Sequence, residues 1–293
     1  MKSGTVMTIE DCRQFYAEEV RLAAGLNSGP LTEAFARVPR EQFIGPPPWQ
    51  IVAPEMLSGE RGYLATENPQ DLYHNVLVAL DPKRHLNNGK PSALAHWINA
   101  LDLRGGDRVF HLGCGVGYYT AIMAEVVGTS GRVIGVEIDP DLAARARKNL
   151  ADYSQVTVHE ADGALFDPGE CNAILINAGV THPQTLWLER LLPGGRLVLP
   201  LTVGLGPVPG AGVMVKIEAN AGNLWSARVV SMVAIFPCTS ARNPELEPVL
   251  EQALKSRALL KMKCLRRDRH ELTETCILHS PEACFSSTES VVF

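Results

Sequence analysis

Gly113, Gly115 and Gly117 stand at alternate positions directly after the apolar run Val109-Phe110-His111-Leu112, and the carboxylate of Glu137 follows about twenty positions on. Three glycines between a strand and a helix let backbone N–H groups and a helix N-terminus approach a ligand. An acidic side chain ending the next strand accepts hydrogen bonds from both hydroxyls of a ribose. Together they are chemistry for a nucleoside-type cofactor. The cofactor classes divide at Tyr118, which stands where a dinucleotide loop expects its third glycine. The pattern G-x-G-x-G suits a ligand without a pyrophosphate, and S-adenosyl-L-methionine fits, with the loop at its amino-acid end and Glu137 at its ribose. Asn177-Ala178-Gly179 could belong to a short-chain reductase, but that class needs a downstream tyrosine and lysine, and no tyrosine follows Tyr153.

Further candidates sit where strands should end. Asp162 follows a third strand and can accept the exocyclic amine of adenine. Asn177 to His182 follow a fourth, where the reacting end of the cofactor belongs. His111, Tyr118 and Ile138, next to the loop and to Glu137, complete the expected cofactor lining. A carboxylate acceptor needs no general base, whereas a hydroxyl or amine would, and His182 is then the nearest candidate. Asn87 and Asn88 can donate hydrogen bonds to an acceptor or to the donor's amino-acid end.

These residues need a parallel sheet to carry them. Leu94, Trp97, Ile98 and Leu101 mark one apolar helical face. Strands read at 109–112, Arg132–Glu137, Val156–Glu160, Ala173–Asn177 and Arg196–Pro200. Between them lie a helix burying Ile122, Met123, Val126 and Val127 and ending at Gly128, and a helix capped by Asp139-Pro140 with Leu142, Ala146 and Leu150 inward. Strands alternating with helices predict an α/β sheet covered on both faces.

The 293 residues suffice for one large core with additions, and a net charge of −5 argues against a protein holding nucleic acid through many phosphate contacts. No apolar run reaches spanning length and the N-terminus shows no signal-peptide pattern, so a cytoplasmic enzyme away from membranes is expected. The 7 cysteines form no C-x-x-C pair. Cys264, His270, Cys276, His279 and Cys284 cluster late in the chain but match no common zinc spacing, so no metal is expected. The alternation of Leu260, Met262 and Cys264 with Thr275 and Ile277 reads instead as a hairpin with inward thiols, and the basic run Lys261 to Arg269 as its solvated part.

From about Arg40 to Thr202 the chain resembles the protein-L-isoaspartate O-methyltransferase family, most specifically in Gly106-Asp107-Arg108-Val109-Phe110-His111-Leu112-Gly113-Cys114-Gly115-Val116-Gly117-Tyr118. Gly131-Arg132-Val133, Asp162-Gly163-Ala164 and Pro193-Gly194-Gly195-Arg196-Leu197-Val198 are also similar to that family. The resemblance implies a class I methyltransferase (Rossmann-like) fold, S-adenosylmethionine as donor and a carboxylate as acceptor. It places the three loop glycines at the methionine end, Glu137 at the ribose, and Asp162 and Gly163 beside adenine. Departures concern the acceptor. The family's active-site serine falls at Gly89 in Leu86-Asn87-Asn88-Gly89-Lys90-Pro91, and His111 replaces an acidic residue. The region from Pro46 to Thr66 is longer, and the tail beyond about Arg242 is additional.

The sequence therefore predicts an N-terminal helical and substrate-side region over 1–92, a methyltransferase core over 93–241 and a hairpin-containing extension over 242–293. It predicts O-methylation of a carboxylate in a peptide or peptide-derived metabolite, by a divergent relative that is not a conventional isoaspartate repair enzyme. Its alternatives are a small-molecule hydroxyl or amine methyltransferase using His182, and a non-catalytic nucleoside-binding protein.

Overall fold

The computed structural model describes residues 7–53, 62–204, 209–220, 225–280 and 282–289. Its centre is one ten-stranded sheet. Five parallel strands form one half: β5 (Arg108–Leu112), β6 (Arg132–Glu137), β7 (Val156–Glu160), β8 (Cys171–Ile176) and β9 (Leu191–Val203). The other half is antiparallel: β10 (Gly210–Ala219), β11 (Trp225–Ile235), β12 (Cys264–Arg266), β13 (Cys276–His279) and β14 (Cys284–Ser286). The order across the sheet is β13-β14-β12-β11-β10-β9-β8-β5-β6-β7. Chain order reverses between β5 and β8, so the loops leaving those two strands diverge and open a crevice at their C-terminal ends.

Alternation along the strands divides the core in two. Val109, Val133, Ala173 and Val198 face helices α1 (Ile9–Ala24), α2 (Gly29–Arg37), α3 (Pro91–Ala100), α4 (Tyr118–Val127) and α5 (Pro140–Asn149). Phe110, Val136, Ile174 and Leu197 face α6 (Thr185–Glu189) and α7 (Glu247–Lys255). The helix signals act as their chemistry requires. Asp139 caps α5 by accepting from the Leu142 N–H at 3.0 Å, with Pro140 in its first turn, and Gly128 ends α4 at φ +68°.

In the N-terminal region the α-helices before α3 end at Arg37, and three short 3-10 helices follow at Arg40–Gln42, Pro69–Leu72 and Pro82–Arg84. Here β1 (Trp49–Ala53) pairs with β2 (Gly62–Thr66) and β3 (Ala79–Asp81) with β4 (Leu86–Asn87) in two small sheets. Arg40, fully buried, holds the segment between β2 and β3 by donating to the carbonyls of Leu72, His74 and Val76. Part of the proline-rich stretch, residues 54–61, lies outside the described residues.

The extension differs from its expected form. Residues 264–266 pair with 284–286, and the hairpin is made by β13 and β14. The basic run thus contains a sheet strand with Cys264 and Leu265 buried, because β14 inserts between the segments whose alternation suggested a direct pair. Among the described residues no helix is long and apolar enough to cross a membrane.

Candidate active site

The glycine loop leaves β5 with Gly113, Gly115 and Gly117 all in the left-handed region, at φ +73°, +57° and +90°. Two of them answer to packing. A Cβ at Gly117 would lie 2.7 Å from Leu150 Cδ1, and one at Gly113 would lie 3.0 Å from the Asn177 carbonyl. Gly115 is different, because a Cβ there would meet nothing within 4 Å. Open space at the apex of the loop is what a ligand needs. The first N–H groups of α4 begin immediately behind it without intrahelical partners.

Glu137 closes the loop from the neighbouring strand. One carboxylate oxygen accepts the Gly115 N–H at 2.8 Å and the other accepts the Asp139 N–H at 3.1 Å. Burial raises its pKa, and these backbone donors oppose the shift. Each oxygen retains a lone pair, which leaves capacity for ribose hydroxyls. Ile138, next along the chain, is 53% exposed and offers the apolar edge an adenine ring would cover. Asp162 is tied into its own turn, accepting from the Ala164 N–H at 2.9 Å and from the Ser240 hydroxyl. Gly163 allows that turn to lie on β5, since a Cβ would come within 2.5 Å of Leu112 Cγ. Asn177 donates to the Gly113 carbonyl at 3.3 Å, joining the ends of β5 and β8.

His111 lies beneath the loop. Its Nδ1 is 2.9 Å from the Thr120 hydroxyl, while Nε2 is buried with no hydrogen-bond partner. Burial pushes its pKa down to about 3, so the ring is neutral. Tyr118, fully buried, belongs to an aromatic cluster with Phe35, Phe43 and Tyr119 and anchors the start of α4.

The segment Asn87-Asn88-Gly89 is brought to the same helix start. Tyr119 donates its hydroxyl to the Gly89 carbonyl at 3.2 Å. Asn87 Oδ1 accepts the Gly89 N–H at 2.9 Å, leaving the Asn87 amide to donate, and Asn88 Nδ2 is buried without a partner. Arg84 adds a second tie by pairing with both Asp81 and Asp139.

His182 bonds to its own neighbours in the loop after β8. Its ring nitrogens meet the Thr181 hydroxyl at 2.9 Å and Gln184 at 3.3 Å, and Thr181 in turn accepts the Asn243 N–H. Burial lowers its pKa, with Glu282 the opposing charge. Among the described residues no hydrogen bond links it to the glycine loop or to the asparagines.

Four residues escaped the sequence reading: Arg84, Tyr119, Thr120 and Ser240. Tyr119 and Thr120 followed the glycines and could have been suspected from that position alone. The Arg84–Asp139 and Ser240–Asp162 ties carried no local signal, because these partners lie 55 and 78 positions apart.

The family protein-L-isoaspartate(D-aspartate) O-methyltransferase (PCMT) matches residues 18–242, well over half of the chain. The chain belongs to that family. Protein-L-isoaspartate O-methyltransferase 2 of Anaeromyxobacter sp. (strain Fw109-5) is 32% identical over 198 residues, covering 66% of this chain and 71% of the relative. Protein-L-isoaspartate O-methyltransferase 2 of Archaeoglobus fulgidus is 33% identical over 199 residues, covering 67% and 80%. A solved protein-L-isoaspartate O-methyltransferase superposes with a TM-score of 0.62 at 20% identity, over 83% of this chain and 69% of that one, and shares the class I methyltransferase fold. This PCMT member is an S-adenosylmethionine-dependent methyltransferase. The open space at Gly115, the spare acceptor capacity of Glu137 and the bare Ile138 side chain fit that donor.

Proposed function

We propose that this methyltransferase esterifies a carboxylate of a peptide or peptide-derived metabolite, and that repair of isoaspartyl residues is not its activity. Gly89 carries the reading. The resemblance puts the family's active-site serine at this position, and Gly89 has φ +73° there, with an added Cβ 2.8 Å from Leu94 Cδ2. The left-handed backbone there favours glycine, and any side chain would also have to displace that of Leu94.

The donor's place follows from the loop. Gly113, Gly115 and Gly117 face its amino-acid end, with Asn177 and His111 behind them. Glu137 takes the ribose, and Ile138, Asp162 and Gly163 frame the adenine. Bound there, S-adenosylmethionine supplies an electrophilic methyl group that an ionised carboxylate takes up without surrendering a proton. The protein's work is then to orient the acceptor and exclude water. The Asn87 amide is left to donate to an acceptor oxygen, Asn88 Nδ2 is buried and unpartnered in the next residue, and Tyr119 fixes their segment through Gly89. A hydroxyl or amine acceptor would require a base, and the bonding of His182 toward Thr181 and Gln184 does not favour it.

The test is methyl-ester formation across a panel of peptides bearing aspartyl, glutamyl, C-terminal and isoaspartyl carboxylates. Transfer is expected to one of the first three classes. Turnover of a simple isoaspartyl peptide at the rate of a dedicated repair enzyme would overturn the reading.

A further inference from the structure

The C-terminal extension gathers a second constellation. One potential ligand atom from each of His270, Cys276, His279 and Cys284 lies within 4.8 Å of all the others. The four are scattered along the sequence with no familiar spacing, and strand geometry explains why they meet. Cys276 and His279 are three positions apart, which in a regular strand sends side chains to opposite faces. A bulge between Cys276 and Leu278 shifts the register, so Cys276 faces Ser286 and His279 faces Cys284. Both then share the face of Cys284, while Leu278 and Phe285 point together into the core. One inserted residue assembles the site.

His270 arrives from the loop after β12, already oriented. Its Nδ1 is 2.9 Å from the Asp268 carbonyl oxygen, which leaves Nε2 toward the cluster, 3.6 Å from Cys276 Sγ. A backbone carbonyl holding one ring nitrogen is the arrangement that fixes a metal-binding histidine through the other. The His279 ring lies 4.8 Å from that of His270, and its Nδ1 is buried with no hydrogen-bond partner.

We propose that His270, Cys276, His279 and Cys284 bind one Zn²⁺ in a closed structural site. Two thiolates and two imidazoles are a borderline-soft, four-ligand set suited to tetrahedral zinc, and four protein ligands leave no open position for chemistry on the metal. Zinc–ligand bonds of ordinary length place tetrahedral ligand atoms about 3.3–3.8 Å apart, so the widest separation closes by roughly 1 Å on binding. Both thiols give their protons to solvent as the two zinc–sulfur bonds form, and the thiolates balance the charge of the ion. The benefit falls on the sheet edge. β13 and β14 have four and three residues, and the ion ties them to the loop that follows β12.

The test uses the full chain without a histidine tag, purified under reductant. Elemental analysis is expected to find one zinc per chain. Removal by chelator should lower the thermal midpoint reversibly, and cobalt substitution should give the visible and thiolate charge-transfer bands of a tetrahedral site. Cys276→Ser and His279→Ala should each weaken zinc binding at least tenfold, whereas Cys12→Ser, in α1, keeps it. Chelation and cobalt spectra on the unaltered chain decide the matter even if a variant does not fold. Absence of zinc with no shift on its addition, a Cys276–Cys284 disulfide in the purified chain, or full zinc retention by both variants would overturn the proposal.

Discussion

The Gly115 N–H donates to the Glu137 carboxylate at 2.8 Å, across 22 positions of sequence. The residue expected to hold the ribose thus also holds the loop that meets the rest of the donor. In the proposed donor site, loop geometry and nucleoside recognition would then be joined in one side chain, so that site would depend on the end of β6 as much as on its glycines.

Glu137→Ala removes the loop's anchor and the ribose acceptor together. Hydrogen bonds to a charged group are worth about 1.5–3 kcal/mol each, so binding of S-adenosylmethionine or its demethylated product should weaken by about ten- to a hundredfold or more. Calorimetry with the demethylated product measures this directly, and unchanged affinity would remove Glu137 from the site.

His111 makes stability depend on acid. Its folded-state pKa is depressed to about 3 from 6.5 by burial, so below the unfolded value the unfolded chain binds the extra proton. The stabilisation is complete above about pH 6.5 and is lost as pH falls toward 3, with a slope of at most about 1.4 kcal/mol per pH unit. His111→Asn should flatten this part of the stability profile. Thermal midpoints of both proteins from neutral pH down to the acid limit of folding provide the check.

Restoring the family's serine should not restore repair. Gly89→Ser forces a side chain onto a backbone at φ +73°, with its Cβ 2.8 Å from Leu94. Strain of this kind costs on the order of 1–3 kcal/mol. Denaturant unfolding should show a loss of that size, and isoaspartyl peptides should remain poor substrates. Repair activity gained at full stability would contradict the role given to Gly89.

His182→Ala separates the acceptor chemistries. With a carboxylate acceptor, single-turnover methyl transfer should fall only a few-fold and keep a flat neutral pH profile. Loss of a general base would instead cost about 10²–10⁴-fold and abolish a basic limb. Rates for the two proteins across the neutral range distinguish these outcomes once an acceptor is in hand.

Local chemistry made much of this protein legible in one dimension. The cap Asp139-Pro140, the left-handed turns that Gly113, Gly115 and Gly117 permit and the apolar runs of β5 to β9 are local properties of the chain, so periodicity and turn preference revealed the parallel half-sheet and the glycine loop. Tertiary structure decided what depends on distant partners. Arg84 meets Asp139 and Ser240 meets Asp162 only after the chain has crossed the sheet. Thr181 accepts the Asn243 N–H across 62 positions, joining the loop after β8 to the C-terminal segment. The sharpest case is the pair Cys276 and His279. Their spacing by itself puts them on opposite faces, and only the bulge between Cys276 and Leu278, created by pairing with β14, turns both side chains to one point. Periodicity reports the face a residue would take in a regular strand, whereas register is a property of two strands together.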